Sequence, residues 1–190
     1  MGYVIIGICL FLIIAFAVVY YLSCLKNVTE EDHEDNLCVS SDAFENGGTI
    51  PIRYTGRGED KSPSLKLGTI MNGAKSIAVI MDDPDTPIGT FTHWVIWNIP
   101  STVNDIPEGI SREKTLSSLG NACQGKNGYL TTGYRGPKPP RGIGTHTYRL
   151  KVYVLDTELK LRSNAGKKLL LRAMKGHIIQ YGILTGRFGN

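Results

Sequence analysis

Hydrophobic residues are arranged in two different ways along this chain. Residues 1–25 contain no charged side chain, and residues 3–25 form an apolar run of 23 residues. About 20 such residues are enough for a helix to cross the hydrocarbon core of a membrane. The remaining residues show short alternating segments separated by glycine and proline. This pattern predicts one N-terminal transmembrane helix over residues 1–25, followed by a mainly β domain.

The N-terminal run fits an uncleaved anchor better than three alternatives. A cleaved signal peptide has basic residues before a shorter run, and none precede this one. A lipoprotein signal would lipidate Cys24, but Leu22 lies one position too late for that motif. A core helix of a soluble protein would show polar positions on one face. We therefore expect a single-pass membrane protein.

A polar, acidic linker follows the run over residues 26–36, and the domain occupies residues 37–190. Lys26 is the only cation close to the run, so the positive-inside rule gives little information about the membrane orientation. The expected location of the domain is outside the cytoplasm.

Four segments of the domain predict strands, because they are short, rich in β-branched residues and bounded by turn-forming residues. They are residues 47–55, 76–82, 91–99 and 145–156. Strict alternation along 91–99 places His93 on one face with Val95 and Trp97, and both faces are apolar. Along 145–156 one face is predicted to meet the core and the other to meet water. Many turns between short strands favour an antiparallel β-sandwich with a few short helices over a βαβ fold.

One helix is predicted over residues 163–176. Ser163 or Asn164 would cap its N-terminus, and Gly176 would end it. Leu170 and Met174 are separated by four residues, so they would share the buried face.

Charge is distributed unevenly. Beyond residue 35 the chain has 20 Lys and Arg against 12 Asp and Glu, and from Lys126 onward it has 13 against 2. Such an excess indicates an anionic partner, such as phosphate, a lipid headgroup or an acidic protein, or else a solvated basic surface. Nucleic acid is not an expected partner, because the basic third lacks an aromatic platform or a known motif.

Only two cysteines lie in the domain, Cys38 and Cys123. They could form one disulfide in an oxidising compartment or remain two unpaired thiols.

Two segments carry candidate chemistry. In "DDPDTP" the prolines stiffen a loop that presents Asp83 and Asp85, although Asp-Pro-Asp is also ordinary turn chemistry. The acid before them, Asp82, is expected to contact solvent at the strand end. In "YRGPKPPRGIGTHTY" the glycines allow backbone N–H groups to approach a ligand. His146 and Tyr148 then share the inward face of a strand and need polar partners, which a pocket at the end of the sheet would supply.

The motifs "DPDTP", "THWVIWNIP", "GYRGPKPPRGIGTHTY" and "AMKGH" are similar to those of the phosphatidylethanolamine-binding protein family. That family includes the Raf kinase inhibitor proteins, and the likeness is to its bacterial and archaeal YbhB/YbcL-like branch over about residues 41–189. The resemblance implies a β-sandwich with a small pocket near one end that binds phosphate, phosphorylated headgroups or carboxylates. Carried over position by position, the pocket residues are Asp83, Asp85, Pro87, His93, Gly136, Pro137, Pro139, Pro140, His146, Tyr148 and Met174. Asp85 would hold the loop or fix a histidine tautomer, and Met174 would line the wall.

Two positions depart from the pattern that the resemblance implies. Lys138 stands between the prolines where many relatives have a small residue or Cys, and Gly56 stands where bacterial relatives often have Cys. A lysine there would extend a cationic rim or narrow the mouth of the pocket.

The residues and the resemblance together predict a membrane-tethered protein that binds a small anion and regulates a kinase or protease partner. The alternative is a hydrolase that uses the histidines and Asp83 as acid and base, but no nucleophile is evident, so an enzyme is not expected. A metal site formed by His93, His146 and Asp83 is a further alternative, but the resemblance favours anion binding over it. No cofactor is expected.

Overall fold

The computed structural model describes residues 33–87 and 89–189, together with Ile14. The transmembrane helix predicted over residues 1–25 lies outside these residues, as does most of the predicted linker. No helix among the described residues is long and apolar enough to cross a membrane. The chain divides into two units, and the larger one is His33–Asn190.

The larger unit begins within the predicted linker. The backbone N–H groups of Asn36 and Leu37 both donate to the carbonyl of Tyr181. The ring of His33 lies 5.6 Å from that of Tyr181. Residues 33–36 are thus held against the last strand of the domain.

Strands dominate the described residues, and one α-helix and two short 3-10 turns accompany them. The turns are Ile52–Tyr54 and Ser117–Leu119, and the helix, α1, is Lys167–Met174. The strands are β1 (Val39–Ser40), β2 (Gly48–Thr49), β3 (Leu65–Leu67), β4 (Ser76–Asp83), β5 (Phe91–Pro100), β6 (Asp105–Ile106), β7 (Thr115–Leu116), β8 (Ala122–Gln124), β9 (Thr145–Leu155) and β10 (Ile178–Gly189).

The strands form two open sheets. A seven-stranded sheet has the order β2-β10-β9-β4-β5-β8-β7, and a three-stranded sheet has the order β1-β3-β6. Every pairing is antiparallel except that of β2 with β10, which is parallel. The mainly β fold with few helices is confirmed, with the parallel edge strand as a correction to a purely antiparallel arrangement.

Apolar side chains cover the large sheet on both faces. On one face, Val79 and Val152 share a buried cluster with Leu65 and Ile106 of the small sheet. On the other face, Trp97 belongs to a second cluster that includes the helix. The long central strands are therefore apolar on both sides, as the pattern of residues 91–99 predicts.

The prediction that one face of β9 meets water is wrong for the second half of the strand. Lys151 and Tyr153 are buried, because α1 covers that face of the sheet. The carboxylate of Asp82 is also buried, against the expectation of solvent contact. It lies 3.4 Å from Nζ of Lys151 and 2.5 Å from Nζ of Lys167. Paired cations make burial of a charge tolerable.

The helix begins later than predicted. It starts at Lys167 after Gly166, and no side chain caps it. Its buried face is Leu170 and Met174, as the sequence predicts, and Gly176 beyond its end has φ +78°. That left-handed conformation is the usual helix stop.

Cys38 and Cys123 are free thiols. Of the two alternatives left open by the sequence, the structure has the unpaired one.

The placement of Met174 in the second cluster predicts a purely structural role. Met174→Ala is expected to lower the free energy of unfolding by about 2–4 kcal/mol, because it leaves a cavity in a fully buried site. Met71 is 51% exposed, so Met71→Ala is the matched control and should change stability by less than about 0.5 kcal/mol. Urea unfolding of both variants measures the difference. Equal effects would show that Met174 does not pack as described.

Candidate functional site

A cavity of about 260 Å³ lies where the end of β4 meets the beginnings of β5 and β9. The antiparallel pairing of β4 with both neighbours brings Asp83 opposite Phe91 and brings Asp82 opposite Arg149. One end of the sheet therefore collects side chains from three segments distant in sequence. The lining residues are Asp83, Thr86, Pro87, Phe91, His93, Tyr129, Lys138, Pro139, Pro140, Ile143, His146 and Tyr148.

His93 reaches this cavity through a β-bulge. The pairing between β4 and β5 shifts register between Met81–Trp94 and Asp82–Thr92, which leaves His93 as the extra residue. A bulge turns a side chain away from strict alternation. The prediction that His93 shares a face with Val95 and Trp97 is therefore wrong. Its ring instead lies 5.3 Å from that of Tyr148 and 5.1 Å from that of Phe91.

The His93 ring is oriented by the backbone. Its Nδ1 lies 2.5 Å from the carbonyl oxygen of Arg135, so Nδ1 carries the proton and donates it. The neutral ring then has an acceptor lone pair on Nε2. Burial lowers the pKa of His93 below its ordinary value, against smaller opposing effects of the Arg135 carbonyl and of Asp83. The uncharged ring is the form that the fold favours.

The Asp83 carboxylate is the hub of the cavity. One of its oxygens, Oδ2, lies 2.7 Å from Nδ1 of His146. The other, Oδ1, accepts from the backbone N–H of Asp85 at 2.9 Å. Tyr148 lies on the same cavity wall as this carboxylate. Burial first, and then the negative charge of Asp83, raise the pKa of Tyr148, which therefore stays a donor.

This arrangement fixes both histidines in the same way. In each ring Nδ1 is engaged by an oxygen of the protein, the Arg135 carbonyl or the Asp83 carboxylate. The Nε2 atoms of His93 and His146 are the ring nitrogens that remain for a ligand.

Asp85 does not line the cavity but holds the loop in place, one of the two roles expected for it. Its Oδ2 accepts from the backbone N–H of Thr147 at 2.7 Å. The loop after β4 is thereby tied to the beginning of β9, next to His146.

Besides Asp85, three further predicted site residues are not on the cavity wall. Gly136 donates its N–H to Asp60, and Pro137 accepts from the N–H of Gly56. A Cβ on Gly136 would lie 2.4 Å from the carbonyl oxygen of Tyr54, which explains why glycine is needed there. Met174 is not a wall residue, since it packs under the opposite face of the large sheet.

Sequence reasoning missed two aromatic wall residues. Phe91 and Tyr129 lie 4.8 Å apart, ring to ring. Phe91 has a signal, because it opens the strand that carries His93. Tyr129 lies in a turn whose sequence does not point to the cavity, and only the tertiary fold brings it there.

The described residues contain no group of three or more His, Cys, Asp and Glu placed to hold a metal ion. In the trio that the sequence suggests, the Asp83 carboxylate is engaged with His146 and the backbone of Asp85.

The lowered pKa of His93 predicts a stability that depends on pH. The unfolded chain takes up a proton on this ring near pH 6.5 and the folded chain resists it. The contribution of neutral His93 is therefore present above pH 6.5 and is lost as pH falls below it. Going from pH 7.5 to 5.5, urea unfolding should show the parent losing more stability than His93→Gln, which has no titrating ring. Parallel pH profiles would contradict this prediction.

Comparison with known proteins identifies the fold. The family model for phosphatidylethanolamine-binding protein matches residues 40–189. A UPF0098 protein of Pyrococcus abyssi is 49% identical over 155 residues, which cover 82% of this chain and 86% of the relative. A UPF0098 protein of Pyrococcus horikoshii is 44% identical over 177 residues, 93% of this chain and 87% of the relative.

Two solved structures share the architecture. A putative phosphatidylethanolamine-binding protein homolog from Chlamydia trachomatis has a TM-score of 0.73 and 32% identity, covering 83% of this chain and 99% of its own. Escherichia coli YbcL, described as a member of the mammalian PEBP family, has a TM-score of 0.75 and 29% identity, covering 81% and 98%. These matches show that the chain belongs to the phosphatidylethanolamine-binding protein family, among its bacterial and archaeal members.

Proposed function

We propose that the cavity binds a small anion: phosphate, a phosphorylated headgroup or a carboxylate. The observation that supports this proposal is the hydrogen bonding of the Asp83 carboxylate. Its buried charge would repel an anion, but it accepts hydrogen bonds from His146 and the backbone of Asp85. Donors that surround a carboxylate stabilise its charge and direct its lone pairs away from the ligand.

Proton content decides which anion fits. A neutral imidazole offers a lone pair at Nε2, so an oxyanion must either carry a proton there or cause the ring to take one up. Dihydrogen phosphate supplies such a proton, whereas the doubly ionised form, monohydrogen phosphate, would bind with a proton taken up by the ring. Either route makes the complex hold one proton more than the neutral ring and the doubly ionised phosphate that predominates above neutral pH. Affinity for phosphate should therefore rise as pH falls.

This proposal is tested by titration with inorganic phosphate. Millimolar phosphate is expected to shift the imidazole NMR signals of His93 and His146 and to leave those of the exposed His177 unchanged. Affinity should increase up to about tenfold per pH unit between pH 8 and 7, the slope of one coupled proton. His146→Gln should weaken binding by about tenfold, the loss of one charge-assisted hydrogen bond, and His177→Gln is the matched control. No shift at millimolar phosphate, or affinity independent of pH, would refute the proposal.

A hydrolase is the second candidate, and one observation favours it. An imidazole oriented by a buried carboxylate, as His146 is by Asp83, is the base-and-orienter pair of many hydrolases. The available hydroxyls count against it: Thr86 donates to the carbonyl of Gly89, and the pKa of Tyr148 is raised. Turnover of p-nitrophenyl acetate or phosphate that is lost in His146→Gln would make it the better account.

We extend the proposal to a membrane tether formed by the apolar run of residues 3–25, with the domain outside the cytoplasm. The Pyrococcus horikoshii relative supports a shared N-terminal segment. Its alignment covers 93% of this chain, more than the unit His33–Asn190 contains.

The full chain in membranes is expected to stay in the pellet after alkaline carbonate extraction, because about 20 apolar residues suffice to span the bilayer. A protease added from outside sealed cells or spheroplasts should digest the domain. Release of the protein by carbonate would refute the tether. Protection of the domain from the protease would refute its location outside the cytoplasm.

A protein partner, a kinase or a protease, is the last part of the proposal. The cavity mouth is framed by Tyr129 and Ile143, which are 51% and 48% exposed. Aromatic and aliphatic side chains at a rim are suited to protein contact. A partner that binds there would compete with phosphate for access to the cavity.

A further inference from the structure

A second cavity of about 210 Å³ lies beside the first. The two share Tyr129 and Lys138, so these side chains form the boundary between them. The remaining lining of the second cavity is Gly56, Asp60, Arg135 and Gly136.

Positive charge prevails in the second cavity. Its one acid, Asp60, accepts from Arg112 at 2.5 Å, from Arg135 at 3.1 Å and from the backbone N–H of Gly136 at 2.7 Å. The Asp60 side chain is 16% exposed, whereas that of Arg135 is 39% exposed. Among the charged side chains that line the cavity, Arg135 and Lys138 outnumber the single carboxylate, which is already engaged. The guanidinium of Arg135 has five N–H donors, so its bond to Asp60 leaves others for a ligand.

The position of the Lys138 side chain depends on Gly56, which lies beside it. A Cβ on Gly56 would lie 3.1 Å from Cβ of Lys138 and 3.2 Å from its Cδ. The hydrocarbon stem of Lys138 therefore lies directly against Gly56, while the residue as a whole remains exposed. Gly56 and Lys138 are therefore in contact, so the residue at 56 decides where the lysine lies.

We propose that the second cavity is a subsite for a second anionic group, so that the ligand carries two negative groups. This inference rests on the proposed function: one phosphoryl group occupies the first cavity, and a carboxylate or second phosphoryl group meets Lys138 and Arg135. An ammonium group in that place would face an excess of positive charge. The site therefore selects against ethanolamine-like headgroups, in contrast to the ligand after which the family is named.

Three phosphate monoesters with different terminal groups test this subsite. 3-Phosphoglycerate ends in a carboxylate, glycerol 3-phosphate has a hydroxymethyl group in its place, and phosphoethanolamine is one carbon shorter and ends in an ammonium. Calorimetry on the full chain in detergent should give the order 3-phosphoglycerate, glycerol 3-phosphate, phosphoethanolamine from tightest to weakest. The first step should be about fivefold to tenfold at low salt, the size of one or two partly exposed charge pairs.

Two variants assign the effect to the lysine. Lys138→Met keeps an unbranched stem against Gly56 and removes the charge, so the advantage of 3-phosphoglycerate should fall to about twofold or less. Affinity for glycerol 3-phosphate and for inorganic phosphate should fall by less than affinity for 3-phosphoglycerate, because only the carboxylate of 3-phosphoglycerate loses its own partner. Gly56→Ala displaces the stem and should have a similar effect with the charge retained. Lys160→Met, an exposed lysine outside both cavities, controls for net charge.

The outcomes separate the two proposals. If phosphate binds but 3-phosphoglycerate is no tighter than glycerol 3-phosphate, the second subsite is refuted and the anion cavity stands. The same holds if Lys138→Met weakens every probe equally. If neither phosphate nor 3-phosphoglycerate binds, both proposals fail.

Discussion

The buried carboxylate of Asp83 is the group on which the cavity depends. It fixes the His146 tautomer and accepts from the backbone of its own loop at Asp85. A charge that is 3% exposed is tolerable only because these donors replace water. Removing it would leave the His146 imidazole without its partner, so the site would lose orientation as well as charge.

Two adjacent acids serve opposite faces of one sheet. Successive residues of a strand point in opposite directions, so Asp83 enters the cavity and Asp82 enters the second core, between Lys151 and Lys167. Each carboxylate is buried and each has its own partners. The bulge at His93 falls at the same point of the neighbouring strand and brings a second imidazole to the Asp83 side. The end of β4 is therefore where the side chains of the sheet change from hydrophobic core residues to residues of the candidate site.

Hydrophobic periodicity was enough to predict the long central strands, the apolar covering of β5 and the buried face of α1. The resemblance carried by the motifs implied seven of the twelve cavity-wall residues, whereas the chemistry of the motifs alone left ordinary turns as an alternative. Three features could not be predicted. Alternation assumes an unbroken register, so it cannot show that His93 is a bulge residue. The burial of Lys151 depends on where α1 packs, and the place of Tyr129 depends on a loop distant in sequence.

Charge and hydrogen bonding are divided between the two adjoining cavities. The first contains the Asp83 carboxylate and the His93 imidazole, which burial keeps neutral, so it offers directional hydrogen bonds but little positive potential. The second contains Arg135 and Lys138 around an Asp60 that is already engaged, so it offers positive charge in a more exposed setting. An anion that enters the first cavity gives up water for directional hydrogen bonds, whereas one at the second gains mainly Coulomb attraction, which salt weakens. Recognition of shape and protonation state therefore belongs to the first cavity, and attraction of negatively charged ligands belongs to the second.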